Sequence, residues 1–313
     1  MSEMLIQQEA AQSARQARTA PQGKVNWRTQ LTGWGFVLPF LIGYAIFTLW
    51  PVILGFRMSF YNWSLNGVTR FLGLGNYQEL LSDADFWNSL WHTIYFTILS
   101  TPILVILAFF LALLANRQMP GRWIFRTAFF IPVALPIAVT AIIWNWLYQP
   151  GFGLINNMLA GIGLGPVDWL NDAHVAMISI VIMTVWWTVG SNFLLYLAGL
   201  QQVPAELYEA AAIDGAGSWA KTISITLPQL SRITMLVVIL QVIASLQVFG
   251  QMYLLTGGGP NFATRSVVEY MYETGFSSFR MGFASAASYI LFILMLVITV
   301  MQFVFFQRPQ RRA

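Results

Sequence analysis

One apolar stretch of the sequence carries hydrogen-bonding side chains at the spacing of a helix. Thr184, Thr188 and Ser191 stand at i, i+4 and i+7, so they would share one helical face, with Trp187 beside them. Hydroxyl groups can pair with the hydroxyls of a sugar, and an aromatic ring can cover the apolar side of the sugar ring. The chemistry that these residues offer is neutral hydrogen bonding to a polyol.

A second apolar stretch repeats this pattern with an amide. Gln241 and Ser245 lie four residues apart, and Val248 continues the row. Two interpretations stay open for both rows. The residues line a binding site, or they join helices by hydrogen bonds, as polar side chains often do within membranes.

The sequence lacks the groups that most catalytic and ion-coupled mechanisms need. It has no cysteine, which excludes disulfides, thiol nucleophiles and cysteine-ligated zinc. All twelve acidic residues fall outside the predicted membrane spans, whereas ion-coupled transporters commonly hold Asp, Glu or His inside them. No G-x-x-x-x-G-K-[ST] loop is present to bind a nucleotide. We therefore predict a protein that is not an enzyme, holds no metal or cofactor of its own and binds no nucleic acid.

The composition predicts an all-α integral membrane protein. Of the 313 residues, 57% are hydrophobic and 9% charged, against about 25% charged in soluble domains. A membrane-spanning helix needs roughly 20 apolar residues. Six stretches meet this requirement: 32–55, 90–115, 124–147, 174–199, 233–255 and 283–306.

The positive charge is distributed unequally between the two sides of these spans. Eleven of the 16 Lys and Arg residues fall in the two tails and in the connections that follow spans two and four, and a twelfth, Arg126, lies just inside span three on the same side. The positive-inside rule then places both termini in the cytoplasm of a prokaryotic cell. The predicted parts are an N-terminal tail (1–30), a six-span domain (31–308) and a C-terminal tail (309–313). The outer connections, 56–89, 148–173 and 256–282, should hold short amphipathic pieces at the membrane interface.

The connection after span four, residues 201–232, is a structured polar insert. Its sequence from 209 to 228 is "EAAAIDGAGSWAKTISITLP". Pro204 suits a helix first turn, and Asp214-Gly215 should end that helix, with Gly215 at positive φ or in close contact with a partner. Ser218 should cap a second helix that runs towards Thr226. The prediction is a helix-turn-helix that projects from the membrane.

Two interpretations also stay open for this insert. Three alanines, 210 to 212, leave a surface that another protein could approach closely, beside the charge of Glu209. Without such a partner, the insert is a solvated connector.

This insert resembles the EAA loop of permease subunits from ATP-binding-cassette (ABC) importers. The matching residues are Glu209, Ala210, Ala211, Gly215, Ile225, Leu227 and Pro228. The segments "LQQVPAELYEAAAIDGAG" (200–217), "LLTGGGP" (254–260) and "GLGNYQELL" (73–81) are similar to the carbohydrate-uptake, maltose-type branch. The resemblance covers about residues 30–308.

The resemblance implies the fold of type I ABC importer permeases, with the EAA loop as the coupling helix. The residues implied to contact a cytoplasmic ATPase subunit are Glu209, Ala210, Ala211, Asp214 and Gly215. A mid-membrane sugar site is implied at Thr184, Trp187, Thr188, Ser191, Gln241, Ala244, Ser245 and Val248, with Val133 and Ile137. The implied partners are a second permease, two ATP-binding subunits that hold the ATP, an extracytoplasmic solute-binding protein, the sugar and the lipid bilayer.

Several alternatives stay open. Some residues at the implied sugar site differ in type from those of maltose permeases, and the paired permease could hold the sugar instead. The same machinery could carry another solute such as glycerol phosphate, although a phosphate favours a basic residue in the pathway and only Arg126 comes near. A secondary transporter and a membrane enzyme are disfavoured by the missing acidic and catalytic groups.

Overall fold

A computed structural model describes residues 27–64, 67–117 and 120–307. Most of the predicted N-terminal tail and all of the C-terminal tail lie outside the described residues. The described chain is helical apart from connecting loops and one short β-hairpin, so the all-α prediction is confirmed.

Four helical segments are long and apolar enough to cross a membrane. They correspond to predicted spans one, two, four and six. The second begins before residue 90, as Asp83 caps it by accepting hydrogen bonds from the N–H groups of Asp85 and Phe86. The first consists of α1 (Trp27–Tyr44), a π-helical turn (Ala45–Leu49) and α2 (Trp50–Met58), and the others are α4 (Ala84–Asn116), α8 (Ala176–Leu200) and α15 (Met281–Gln307).

The chain up to Gly55 is one compact unit and the chain from Phe56 onwards is another. The first unit holds α1 and most of α2, whose apolar side chains from Trp34 onwards are largely exposed. All of the features described below belong to the second unit.

The third predicted span, 124–147, is a bent pair of helices. The pair turns by 101° between Ala134 and Ile137, because Leu135 is extended and Pro136 cannot continue a helix. It consists of α5 (Arg122–Phe130), a 3₁₀ turn (Ile131–Ala134) and α6 (Ile137–Leu147).

The fifth predicted span, 233–255, is not a single helix. The helix over most of it forms a second bent pair, which turns by 68°, with the helical arm 218–229 before it. This helix, α12 (Ser231–Leu246), ends nine residues early, and a separate helix, α13 (Gly250–Thr256), follows. The backbone leaves the helical conformation at Gln247 and Phe249. Gly250 then begins α13 close to α6, since a Cβ there would lie 3.1 Å from Cγ1 of Ile137. The close approach that glycine permits lets the chain turn and pack α13 against α6.

The core of the second unit forms around α4 and α8, which pack side by side in the same direction. At one end, Leu111, Tyr196, Leu200 and Leu230 pack in a buried cluster next to the insert. We call this the EAA-loop end. A second cluster with Phe96, Trp144 and Met252 occupies the middle and far part, and a third, around Leu80 and Phe86, joins α4 to α15.

The far end holds the short elements of the predicted outer connections. An antiparallel hairpin, β1 with β2, was not predicted from the sequence, and three short helices accompany it. Buried Arg265 ties this end together, since its guanidinium lies 3.4 Å from Asp85 and 3.6 Å from Glu273, and its Nε donates to Ser89. The elements are β1 (Tyr61–Ser64), β2 (Gly67–Phe71), α3 (Gly75–Ser82), α7 (Leu154–Gly161) and α14 (Val267–Tyr272).

Candidate functional site

The insert folds as a helix, a glycine turn and a second helical arm. The first helix, α9 (Ala205–Ile213), begins after Pro204 and closes with two backbone hydrogen bonds. The N–H of Gly215 donates to the carbonyl of Ala212 at 3.1 Å, and that of Ala216 donates to the carbonyl of Ala211 at 2.8 Å. This arrangement needs a left-handed residue. The φ of Gly215 is +77°, which confirms the predicted positive value.

The second arm runs further than predicted. It consists of α10 (Ser218–Lys221), a π-helical turn (Thr222–Thr226) and α11 (Leu227–Gln229). The prediction that Ser218 caps this arm is wrong, because Gly217 holds the cap position and Ser218 is the first helical residue. Tyr208 and buried Thr226 share a hydroxyl–hydroxyl hydrogen bond of 2.9 Å that joins the two arms. The insert is therefore a braced helical hairpin.

The hairpin exposes the residues that the EAA resemblance singles out. Glu209, Ala210 and Asp214 are exposed and Ala211 is half-buried. A Cβ on Gly215 would meet no atom of the described residues within 4 Å. Two exposed apolar residues beside them were missed from the sequence, Ile213 at 87% and Trp219 at 64% exposure. Such large apolar side chains on an exposed surface are typical of a protein-binding face.

The polar rows of α8 and α12 meet at one cavity. Its volume is about 280 Å³. Six of the predicted pathway residues line it, namely Thr184, Thr188, Ser191, Gln241, Ala244 and Ser245. Five further lining residues were not predicted, namely Phe96, Asn192, Leu195, Leu240 and Gln251.

A chain of hydrogen bonds crosses the buried side of this cavity. Asn192 of α8 donates to the amide oxygen of Gln241 at 2.8 Å, and the Gln241 amide nitrogen donates to the Ser245 hydroxyl at 3.0 Å. The Ser245 hydroxyl lies 3.3 Å from that of Ser100 in α4. Gln241 therefore bridges helices as well as lining the cavity. Asn192 could have been found from the sequence, because it continues the i, i+4 row of Thr184 and Thr188.

The hydroxyl groups of α8 at the cavity differ in the hydrogen bonds that they make. Thr184 donates to the carbonyl of Ile180 at 2.8 Å, and Thr188 donates to that of Thr184 at 2.7 Å. Each of these oxygens keeps the capacity to accept a hydrogen bond. Ser191 is exposed at the cavity. None of the described residues that line the cavity is charged.

Four predicted pathway residues lie outside the lining of this cavity. The Trp187 indole N–H donates to the carbonyl of Leu135 at 3.1 Å, which ties α8 to the bend after α5. Val248 is buried in the central cluster with Ile137 packed against it. Val133 packs against Gly190, where a Cβ would lie 2.9 Å from Cγ2 of the valine. Any contact of these four with a substrate stays a prediction.

Arg126, the basic residue considered for a phosphate, does not line the cavity. It lies in α5, and its Nη2 donates to the carbonyl of Ala115 at 3.1 Å, at the end of α4.

Comparison with known proteins gives consistent relatives. Residues 81–311 match the family described as binding-protein-dependent transport system inner membrane component. The trehalose/maltose transport system permease protein MalF of Thermococcus litoralis is 37% identical over 278 residues, covering 88% of this chain and 94% of that protein. The sn-glycerol-3-phosphate transport system permease protein UgpA of Yersinia pestis is 35% identical over 277 residues, covering 88% and 94%.

A solved structure shares the fold. A chain of a bacterial alginate ABC transporter, in complex with an alginate pentasaccharide-bound periplasmic protein, is 25% identical with a TM-score of 0.77, covering 88% of this chain and 93% of that one. The match of most of the chain to one family, together with full-length relatives above 30% identity, shows that this protein belongs to the binding-protein-dependent transport system inner membrane components, the permeases of ABC importers.

Proposed function

We propose that this permease forms part of the inward translocation pathway for a sugar or oligosaccharide. The observation that carries the proposal is the neutral cavity between α8 and α12, which offers hydroxyl and amide groups and no charge. Such a lining suits a solute whose recognisable groups are hydroxyls. Relatives named for trehalose, maltose and alginate transport support the same class of solute.

The proposed orientation follows from the charge distribution. Both termini and the EAA loop face the cytoplasm, because twelve of the 16 basic residues flank that side. The far end, with the hairpin and α14, then faces outwards in a prokaryotic cell membrane. A solute-binding protein would deliver the sugar at that end.

The proposed energy source is ATP hydrolysis on partner subunits. The chain would bind no ATP, catalyse no reaction and need no cofactor, and the exposed face of α9 would dock on a cytoplasmic ATPase. A second permease would complete the pathway. The braced shape of the EAA loop supports this role, since a stiff hairpin can transmit a movement that a loose connector would absorb.

Glycerol phosphate is the second candidate solute, favoured by the relative UgpA. The cavity argues against it, because none of the described residues that line it is basic and a phosphate is ordinarily bound by Arg, Lys or a helix N-terminus.

Uptake by the full complex tests the choice. The complex would be purified with its binding protein, reconstituted in vesicles containing ATP, and supplied with labelled maltooligosaccharide, trehalose or glycerol 3-phosphate. We expect ATP-dependent uptake of a neutral sugar. Uptake of glycerol 3-phosphate alone would overturn the sugar proposal while leaving the permease assignment intact.

A further inference from the structure

A second cavity lies apart from the cavity between α8 and α12, which we call the proposed substrate cavity. Its volume is about 500 Å³, and apolar side chains of α4, α5, α6 and α8 line it. Val185 and Val189 of α8 face it, whereas Thr184 and Thr188 of the same helix face the proposed substrate cavity. We call it the apolar groove.

The apolar groove runs lengthwise along α4. Ile103, Leu107 and Leu111 line it at i, i+4 and i+8, a distance of about 12 Å along the helix. Ala128 and Phe129 of α5 line the part nearer to the EAA-loop end. The far part is lined by Trp144 and Trp186, whose rings meet edge to face with centroids 5.7 Å apart. This is the shape and chemistry of a slot for a hydrocarbon chain.

Three arginines stand at the EAA-loop end of this groove. Arg117 caps the end of α4, Arg122 begins α5, and Arg126 lies one turn before the groove residue Phe129. The Nη2 of Arg126 is held by the carbonyl of Ala115, while its buried Nε has no hydrogen-bond partner among the described residues. No ion pair involves any of the three within the described chain, and the sequence has no acidic residue between Asp85 and Asp168.

The start of α5 adds to this positive field. The helix begins after Gly121, a left-handed residue, and no side chain caps its N-terminus. The first N–H groups of a helix and its dipole both favour an anion. An oxyanion placed here would meet the arginines and the helix start together.

We propose that Arg117, Arg122, Arg126 and the apolar groove form a binding site for an anionic phospholipid. The headgroup phosphate lies against the arginines, and one acyl chain lies in the groove. An anionic phospholipid matches both features at once: its phosphate complements the charge of the arginines, and its acyl chain matches the apolar groove of about 500 Å³. Basic pockets between spans on the cytoplasmic side are typical sites for such headgroups. The inference is independent of the transported solute.

The charged half is tested on the purified complex. Native mass spectrometry would count phosphatidylglycerol and phosphatidylcholine retained by the wild-type complex and by an R117Q/R122Q variant, which keeps the Arg126–Ala115 bond. Neutralising two arginines should weaken phosphatidylglycerol binding roughly thirtyfold and leave phosphatidylcholine unchanged. The matched control is Arg232→Gln, an exposed arginine of α12 at the same end, which should change neither. Equal retention of both lipids by the wild type would overturn the proposal.

The apolar half is tested with Ala128→Trp, which places an indole in the groove from an exposed position. Phosphatidylglycerol retention should fall at least tenfold, with the thermal midpoint in lipid-free detergent unchanged. Millimolar inorganic phosphate should not displace the lipid. Full displacement by phosphate would indicate a free-anion site, and loss of assembly with the second permease in Ala128→Trp would indicate that a protein occupies the groove. Either result would contradict the proposal.

Discussion

Gln241 lines the proposed substrate cavity and also joins two helices, and replacing it separates the two roles. The residue is 8% exposed, and its amide makes two neutral hydrogen bonds, one to Asn192 and one to Ser245. Gln241→Leu removes both bonds, at about 0.5–1.5 kcal/mol each. It also leaves the amide nitrogen of Asn192, a 5% exposed residue, without its partner, at about 1–3 kcal/mol. The expected loss of stability is about 2–6 kcal/mol.

Thermal unfolding of the purified complex measures this loss. One kcal/mol shifts the midpoint by about 2–4 °C in chains of 150–250 residues, so Gln241→Leu should lower it by several degrees. Gln247→Leu is the matched control, as Gln247 is exposed and makes only a 3.5 Å contact to the sulfur of Met295. A double-mutant cycle combines Gln241→Leu with Asn192→Leu. The double variant should be about 1–2 kcal/mol more stable than the sum of the two single losses predicts.

Ser191→Ala provides the contrast, because this exposed hydroxyl lines the cavity without bridging helices. It should weaken sugar affinity roughly twofold to tenfold and leave the midpoint unchanged. Gln241→Leu should combine lower stability with a similar loss of affinity. Additive effects in the cycle, or a wild-type midpoint for Gln241→Leu, would refute the bridging role. Unchanged affinity in both variants would refute the pathway role.

Three further predictions concern the EAA-loop end and the far end of the second unit. Gly215→Asp should abolish uptake while the complex still assembles, because the residue needs positive φ and faces the proposed ATPase. The control is Gly217→Asp, since Gly217 has a φ of −69° and a Cβ there would meet no described atom within 4 Å. Normal uptake by Gly215→Asp in vesicles would contradict the coupling role. The sequence has no cysteine, so single cysteines at exposed positions can report the orientation. Ser277→Cys at the far end should react with an impermeant thiol reagent only from outside, and Ser218→Cys in the EAA loop should react only from inside. The reverse pattern would overturn the orientation. Burial, reinforced by the charge of Glu273 and opposed by Arg265, raises the pKa of Glu269 from 4.5 to about 7, so the folded state holds this proton more tightly than the unfolded state. Stability should then fall by up to about 3 kcal/mol as pH rises from 4.5 to 7, and the pH dependence of the thermal midpoint should weaken in Glu269→Gln; an identical dependence in both proteins would exclude this proton.

The existence of the spans was predictable, but their shape was not. Apolar length alone marks a segment that crosses a membrane, which is why α4, α8 and α15 appear where the sequence indicates them. A bend depends on packing against neighbours, and composition carries little of that information. Pro136 and Gly250 were the local signals, one as a helix breaker and the other as a point of close contact with Ile137.

The same reasoning explains which of the predicted pathway residues line the cavity and which do not. The helical period brings Thr184, Thr188 and Ser191 to one face because α8 is regular throughout. The period fails for Val248, since α12 ends at Leu246 and the next residues leave the row. The indole of Trp187 turns to the carbonyl of Leu135, a partner that exists only because of the bend after α5.

The EAA loop is connected to the cavity through α12, so a movement of the loop can be transmitted to the residues that line the cavity. The two arms of the loop are joined by the Tyr208–Thr226 bond, and the second arm leads through buried Leu230 into α12. Gly199 brings α8 and α12 together beside this point, where a Cβ would lie 2.7 Å from Cδ1 of Ile233. Gln241 lies eight residues, or about 12 Å, beyond Ile233 in the same helix. A displacement of α9 would therefore move α12 against α8 and change the spacing across the Asn192–Gln241 bond. The residues proposed to face the solute thus belong to the element that the proposed ATPase would move.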